Sequence, residues 1–153
     1  MSRLGAAALC LALMPAAYAG NGAALFTENC ALCHQTGATG LAGQFPRLAG
    51  RVATISSHPA GRAYLIDVLT YGLSGTIQVD DQEIIGVMPP FAALSDEVVA
   101  DILSYVQTLG AAPQVAPQPF EQREIAAVRA KAPKSPDEVQ AERQALWRNK
   151  SIP

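Results

Sequence analysis

Residues 30–34 of this chain read Cys-Ala-Leu-Cys-His, and no other stretch restricts its possible folds as tightly. Two thiols separated by two residues, with an imidazole next to the second, can bond both vinyl groups of one porphyrin and hold a histidine under the ring. A chain so equipped must build a pocket around a flat, apolar, iron-bearing group. Two other readings compete, a redox Cys-x-x-Cys pair and half of a zinc site. A redox pair belongs in a βαβ context, which the flanking sequence does not offer. Zinc calls for further clustered thiols, and beyond Cys30 and Cys33 the chain holds only Cys10. The motif therefore points to one covalently bound haem c.

The amino end supports that reading by subtraction. Arg3, the apolar run Leu4 to Met14 and Ala17-Tyr18-Ala19 have the form of a secretory leader (residues 1–19) cut before Gly20. The run is shorter than the roughly 20 residues needed to cross a bilayer, so a retained anchor is the weaker alternative. Leu9 before Cys10 lacks the small residue of a lipoprotein site. A periplasmic location follows, and no later segment is apolar enough to span a membrane. Cleavage would remove Cys10, Met1 and Met14, leaving Cys30 and Cys33 as the cysteines, Met88 as the methionine, and His34 and His58 as the histidines. A Cys30–Cys33 disulfide is possible in an exported chain. The adjacent histidine favours thioethers instead, because covalent haem attachment follows export.

Charge excludes some partners. Between Gly20 and Gly110 the basic residues are Arg47, Arg51 and Arg62, outnumbered by acids, while the remainder is mildly basic. No Lys or Arg run suggests nucleic acid. The acidic body would favour a docking partner with a positive surface.

Periodicity predicts helices from Asn21 to Cys33, from Pro59 to Tyr71 and from Ser95 to Leu109. The last has Ser95 as its cap, Asp96 and Glu97 in its first turn and Gly110 as its stop. Phe45 to Gly50 reads as a turn over the haem edge. Thr76–Val79 and Glu83–Ile85 flank Asp80-Asp81 as a short hairpin or irregular loop. Residues 111–119, with Pro113, Pro117 and Pro119, form a linker. Residues 120–153 form a helical extension (Phe120 to Ala130 and Pro136 to Trp147) that packs on the main domain, grips a partner or stays mobile.

Iron held at His34 needs a ligand on its other face. Met88 sits in Gly86-Val87-Met88-Pro89-Pro90-Phe91, where two prolines stiffen the segment carrying the sulfur. Methionine also fills core gaps, which is the competing role. His58 is the rival ligand, although Ser57-His58-Pro59 marks a helix start where a capping or surface histidine is ordinary. Arg47 is placed to pair with a haem propionate or to remain solvated. Tyr64 or Tyr71 could reach a propionate from a helix stripe, and Trp147 could anchor the tail.

Together, Cys30-Ala31-Leu32-Cys33-His34, Met88-Pro89-Pro90-Phe91 and the helix with Ser95-Asp96-Glu97 and Tyr105-Val106 resemble a class I monohaem cytochrome c over Gly20 to Gly110. The resemblance implies an all-α cytochrome c fold, here with a hairpin-like loop before the methionine, in which first and last helices cross. It assigns Cys30, Cys33, His34 and Met88 to the haem, with His34 and Met88 on the iron. Gly75-Thr76-Ile77-Gln78-Val79 and the Met88 segment are also similar to cytochrome subunits of periplasmic dehydrogenases, including quinoprotein ones. The tail segments Glu124–Arg129 and Asp137–Gln140 resemble extensions on some of these. Such hairpins often turn on glycine, where this chain has Asp80-Asp81. The expected function is electron transfer, with a dehydrogenase as donor and an oxidase or another cytochrome as acceptor, and no catalysis by the chain itself. A fixed subunit of a dehydrogenase complex, or a haem enzyme or gas sensor with a displaceable sixth ligand, are the alternatives.

Overall fold

A computed structural model describes residues 20–111 and 117–153. The leader with its cleavage site, and linker residues 112–116, lie outside the described residues. The element order is α1 (Gly22–Asn29), α2 (Ala31–His34), a 3-10 turn (Thr36–Ala38), α3 (Arg51–Ser56), α4 (Pro59–Tyr71), β1 (Leu73–Val79), β2 (Gln82–Met88), α5 (Asp96–Val106), α6 (Gln122–Arg129) and α7 (Pro136–Arg148).

The continuous first helix expected up to Cys33 is broken. Cys30 has φ −125° and ψ −30°, and the Asn29 side-chain amide donates to the Leu25 carbonyl at 2.8 Å, competing with the helical ladder. Asn21 occupies the N-cap position without a side-chain cap bond. Helix α1 packs on α5, with the Phe26 and Tyr105 rings 5.9 Å apart. Gly22 permits this approach, since a Cβ there would sit 2.4 Å from the Asp101 carbonyl oxygen. Helix α5 matches its sequence signals at the start, where the Ser95 side chain accepts from Val98 N–H, and along its buried face of Val99, Ile102, Leu103 and Val106. It ends at Val106, three residues before the expected Leu109, with Gln107 as its C-cap.

Helix α3 has no counterpart in the sequence reading, because six residues are too few to display a periodicity. Helix α4 has the predicted bounds, with Pro59 in its first turn and Gly72 at its C-cap. The chain is not all-α. Residues 73–88 form an antiparallel ribbon longer than the sequence suggested, in register from Leu73↔Met88 to Val79↔Gln82. Its two-residue turn holds Asp80 and Asp81 at φ 52° and 62°, a left-handed conformation that Asp tolerates better than most residues. The Arg47 guanidinium steadies the turn through two 2.7 Å bonds to the Asp80 carboxylate.

Residues beyond 117 pack on the rest of the molecule. Phe120, Ile125, Val128, Val139 and Ile152 are buried and belong to the same apolar cluster as Phe26 and Leu103. Arg62 of α4 lies 3.8 Å from the Phe120 ring centre and pairs twice with Glu124 at 2.7 Å. Lys134 bridges buried Asp67 of α4 and Glu142 of α7 at 2.7 and 2.6 Å. Ser135 and Glu138 start α7 with a reciprocal capping box.

Candidate haem site

The break at Cys30 makes α2 a separate turn that carries the motif. Cys30 and Cys33 are half-buried and not joined to each other. Burial, with Cys33 adding to it, pushes the Cys30 thiol up to about 11, which favours its protonated form. His34 is buried, and its Nδ1 lies 3.0 Å from the Pro46 carbonyl oxygen. A carbonyl can only accept, so Nδ1 carries the proton and Nε2 keeps a free lone pair. Burial pulls the His34 pKa down against the opposing effect of the Pro46 bond, which favours the neutral, ligating form.

These three side chains and Met88 line one cavity of about 380 Å³. Leu73, Ile77 and Ile84 wall it from the ribbon, Phe45 and Pro46 from the loop after α2, and Phe91 from the segment after β2. The rung Gly75↔Gly86 offers only backbone to the cavity, so a flat group can approach closely there.

Met88 ends β2, and its position is set by α4. Gly72 has φ 81° and ψ −175°, a conformation open almost only to glycine, and a Cβ there would lie 2.5 Å from the Met88 carbonyl oxygen. Phe91 N–H donates to the Leu69 carbonyl at 2.8 Å, closing the Met88-Pro89-Pro90 segment onto the same helix end. Gly72→Ala should therefore cost about 2–3 kcal/mol, combining backbone strain with displacement of the Met88 loop. Denaturant unfolding of the two holoproteins checks this.

Other candidates lie elsewhere. His58 is exposed at the start of α4 and does not line the cavity. Arg47 was expected to reach a propionate. It is instead committed to the Asp80 carboxylate and the Ala49 carbonyl, and it lines a smaller adjoining hollow rather than the cavity. Asp80 raises the Arg47 pKa and is itself held below the usual carboxylate range by that guanidinium. Tyr64 is buried facing Arg143, outside the cavity lining, and burial raises its pKa. Trp147 is 56% exposed on α7. The sequence reading missed the Pro46 carbonyl as the group orienting His34, although it placed Pro46 in a turn over the haem edge. Ile77 and Ile84 were also missed as walls; their shared face becomes legible only once the ribbon register is known.

Two thiols, an oriented neutral imidazole and a thioether in one mostly apolar cavity are the donor set that a c-type haem requires. Comparison with known proteins agrees. The family model described as "Cytochrome C oxidase, cbb3-type, subunit III" matches residues 17–106. Cytochrome c-552 of Thermus thermophilus is 44% identical over 128 residues, covering 82% of this chain and 96% of that protein. The cytochrome c subunit of the quinone alcohol dehydrogenase of Gluconobacter oxydans is 33% identical over 88 residues, covering 56% of this chain but 17% of that subunit. The corresponding subunit of Komagataeibacter europaeus is 29% identical over 89 residues, covering 57% of this chain and 18% of that protein.

The fold and the donor set are those of a haem-binding electron carrier. The chain belongs to the cytochrome c family, whose members bind haem c covalently and transfer electrons through it.

Proposed function

We propose that Cys30 and Cys33 carry the two thioether bonds, that His34 Nε2 is the proximal ligand, and that the Met88 sulfur is the distal ligand. The observation that carries this reading is the convergence of all four side chains on one cavity. Bound haem c supplies a one-electron Fe(III)/Fe(II) couple. The chain's own residues govern that couple. The Pro46 carbonyl fixes the His34 tautomer. Gly72, Pro89 and Pro90 restrain Met88, so its sulfur moves little between oxidation states. Leu73, Ile77 and Ile84 keep water from the ring, and a thioether ligand gives a higher potential than a second imidazole.

On this reading the protein is an exported, periplasmic carrier between a dehydrogenase and an oxidase or another cytochrome. The relatives named as cytochrome c subunits of quinone alcohol dehydrogenases support a quinoprotein dehydrogenase as donor. The 44% identity to cytochrome c-552 over 96% of that protein, against less than a fifth of the dehydrogenase subunits, supports a carrier like cytochrome c-552 over a fixed subunit. Phe120, Ile125, Val128, Val139 and Ile152 of the tail favour the same view, because they are buried in the chain's own core instead of offered to a partner, although Trp147 is exposed. Among the described residues no helix is long and apolar enough to cross a membrane.

The reading is tested by mixing ferric holoprotein anaerobically with a substrate-reduced quinoprotein alcohol dehydrogenase, then exposing the ferrous product to carbon monoxide. Rapid reduction and no carbonyl spectrum are expected. Prompt carbon monoxide binding would instead favour the enzyme or sensor with an open sixth position, and absence of reduction would remove this donor.

A further inference from the structure

The free edge of β1 is covered by α7. Among the described residues strand β1 pairs with β2 alone, leaving the carbonyls of Thr76 and Gln78 on its outer side without a strand partner there. Two buried side chains of α7 take those acceptors: the Gln140 amide donates to the Thr76 carbonyl, and the Arg143 guanidinium donates to the Gln78 carbonyl at 3.3 Å. A third contact, between Ser74 and Asp137, ties the start of α7 to the same strand.

These bonds straddle the weakest point of the ribbon. At the rung Gly75↔Gly86 neither residue has a side chain to pack, and Gly75 has φ 101°. Below that rung, Met88 is fixed to α4 through Gly72. Above it, Ile77 of β1 and Ile84 of β2 wall the cavity, and α7 supplies the bonds to β1. The Gln140 side chain also rests against Gly75, with its Cγ 3.6 Å from where a Cβ would be.

We infer that α7 is a positioning element for the haem cavity, with Gln140 and Arg143 holding the distal half of the ribbon closed over the ring. The inference rests on the haem assignment proposed above. Without those two donors the ribbon bends outward at its glycine rung and water reaches the cavity past Ile77 and Ile84. The distal ligand is then more easily displaced and the potential falls, because solvent exposure favours the more charged ferric state. The tail would thereby tune the couple without contributing a ligand.

The test compares holoproteins carrying Gln140→Ala plus Arg143→Ala, Arg143→Lys, and Lys134→Met. The last cuts the tie of the tail to Asp67 and Glu142 without touching the ribbon. In the double variant, ribbon amides from Thr76 to Ile85 should exchange with deuterium faster. Imidazole should bind the ferric form about tenfold more tightly, the size expected when buried hydrogen bonds are lost. The midpoint potential should drop, while thioether-bound haem and far-UV helicity stay at wild-type levels. Arg143→Lys keeps a donor and should restore most of the wild-type behaviour. Lys134→Met should lower stability yet leave imidazole affinity and potential unchanged. If the double variant gives no folded holoprotein, Gln140→Ala alone carries the same expectations at smaller size. Unchanged exchange, imidazole affinity and potential overturn the inference, as does an equal change in Lys134→Met. Failure of the haem assignment is distinguishable, because the wild type would then lack a sulfur-to-iron band or bind imidazole as an open site.

Discussion

Replacing both Cys30 and Cys33 by alanine should yield exported protein from which acidified acetone extracts all haem, and which shows no haem staining on a denaturing gel. Each single replacement should retain one bond and shift the α-band of its pyridine haemochrome to longer wavelength. Once that haem is extracted, the double variant should also lose its fold. An emptied apolar cavity of about 380 Å³ corresponds to an upper limit of about 9 kcal/mol at about 24 cal/mol per Å³. That is comparable to the whole stability of a domain, about 5–15 kcal/mol. Apoprotein with a sharp cooperative unfolding transition would contradict this and make the ring a guest of a preformed fold.

Met88→Ala should have the second large effect. The near-infrared sulfur-to-iron band should vanish, the ferric spectrum should change spin state, and the ferrous form should acquire carbon monoxide binding. If the thioether gives ferrous iron a hundredfold relative preference, its loss lowers the potential by roughly 120 mV, at about 59 mV per decade. Met88→His should stay low-spin, again at a lower potential. Retention of the band in Met88→Ala would mean that the sulfur is not a ligand.

The haem motif was legible because its chemistry lies in five consecutive residues and needs no tertiary knowledge. Met88 was legible as a candidate, by elimination and by its neighbouring prolines, and it does line the cavity. Helices α4 and α5 carry their own punctuation, Pro59 and Gly72 for one and Ser95 at the start of the other, and they stand where those residues placed them, although α5 stops short of Gly110. The break at Cys30 was not legible, since it depends on a side-chain bond from Asn29 that a periodicity cannot register. Arg47 misled for a related reason. An arginine beside a turn has many possible acceptors, and Asp80, distant in sequence, meets it only after the ribbon has formed. The tail was the least legible part. Its attachment is shared between a few buried apolar residues, among them Ile125, Val128 and Val139, and polar contacts through Lys134, Arg129, Gln140 and Arg143, and polar contacts leave no hydrophobic signature in sequence.

The seating of α1 on α5 has a consequence in time. On the proposed export the amino end emerges first, yet Phe26 has its Tyr105 partner only after residues 96–106 have emerged. Contacts between segments so far apart in sequence form late, because a long loop must close before they repay its entropy. Throughout that interval the segment around Cys30 and Cys33 hangs on an undocked helix, open to whatever joins vinyl groups to thiols. The arrival of α5 ends the interval. The order in which this chain emerges thus leaves its cysteines accessible until the last helix of the haem-binding unit closes over the first.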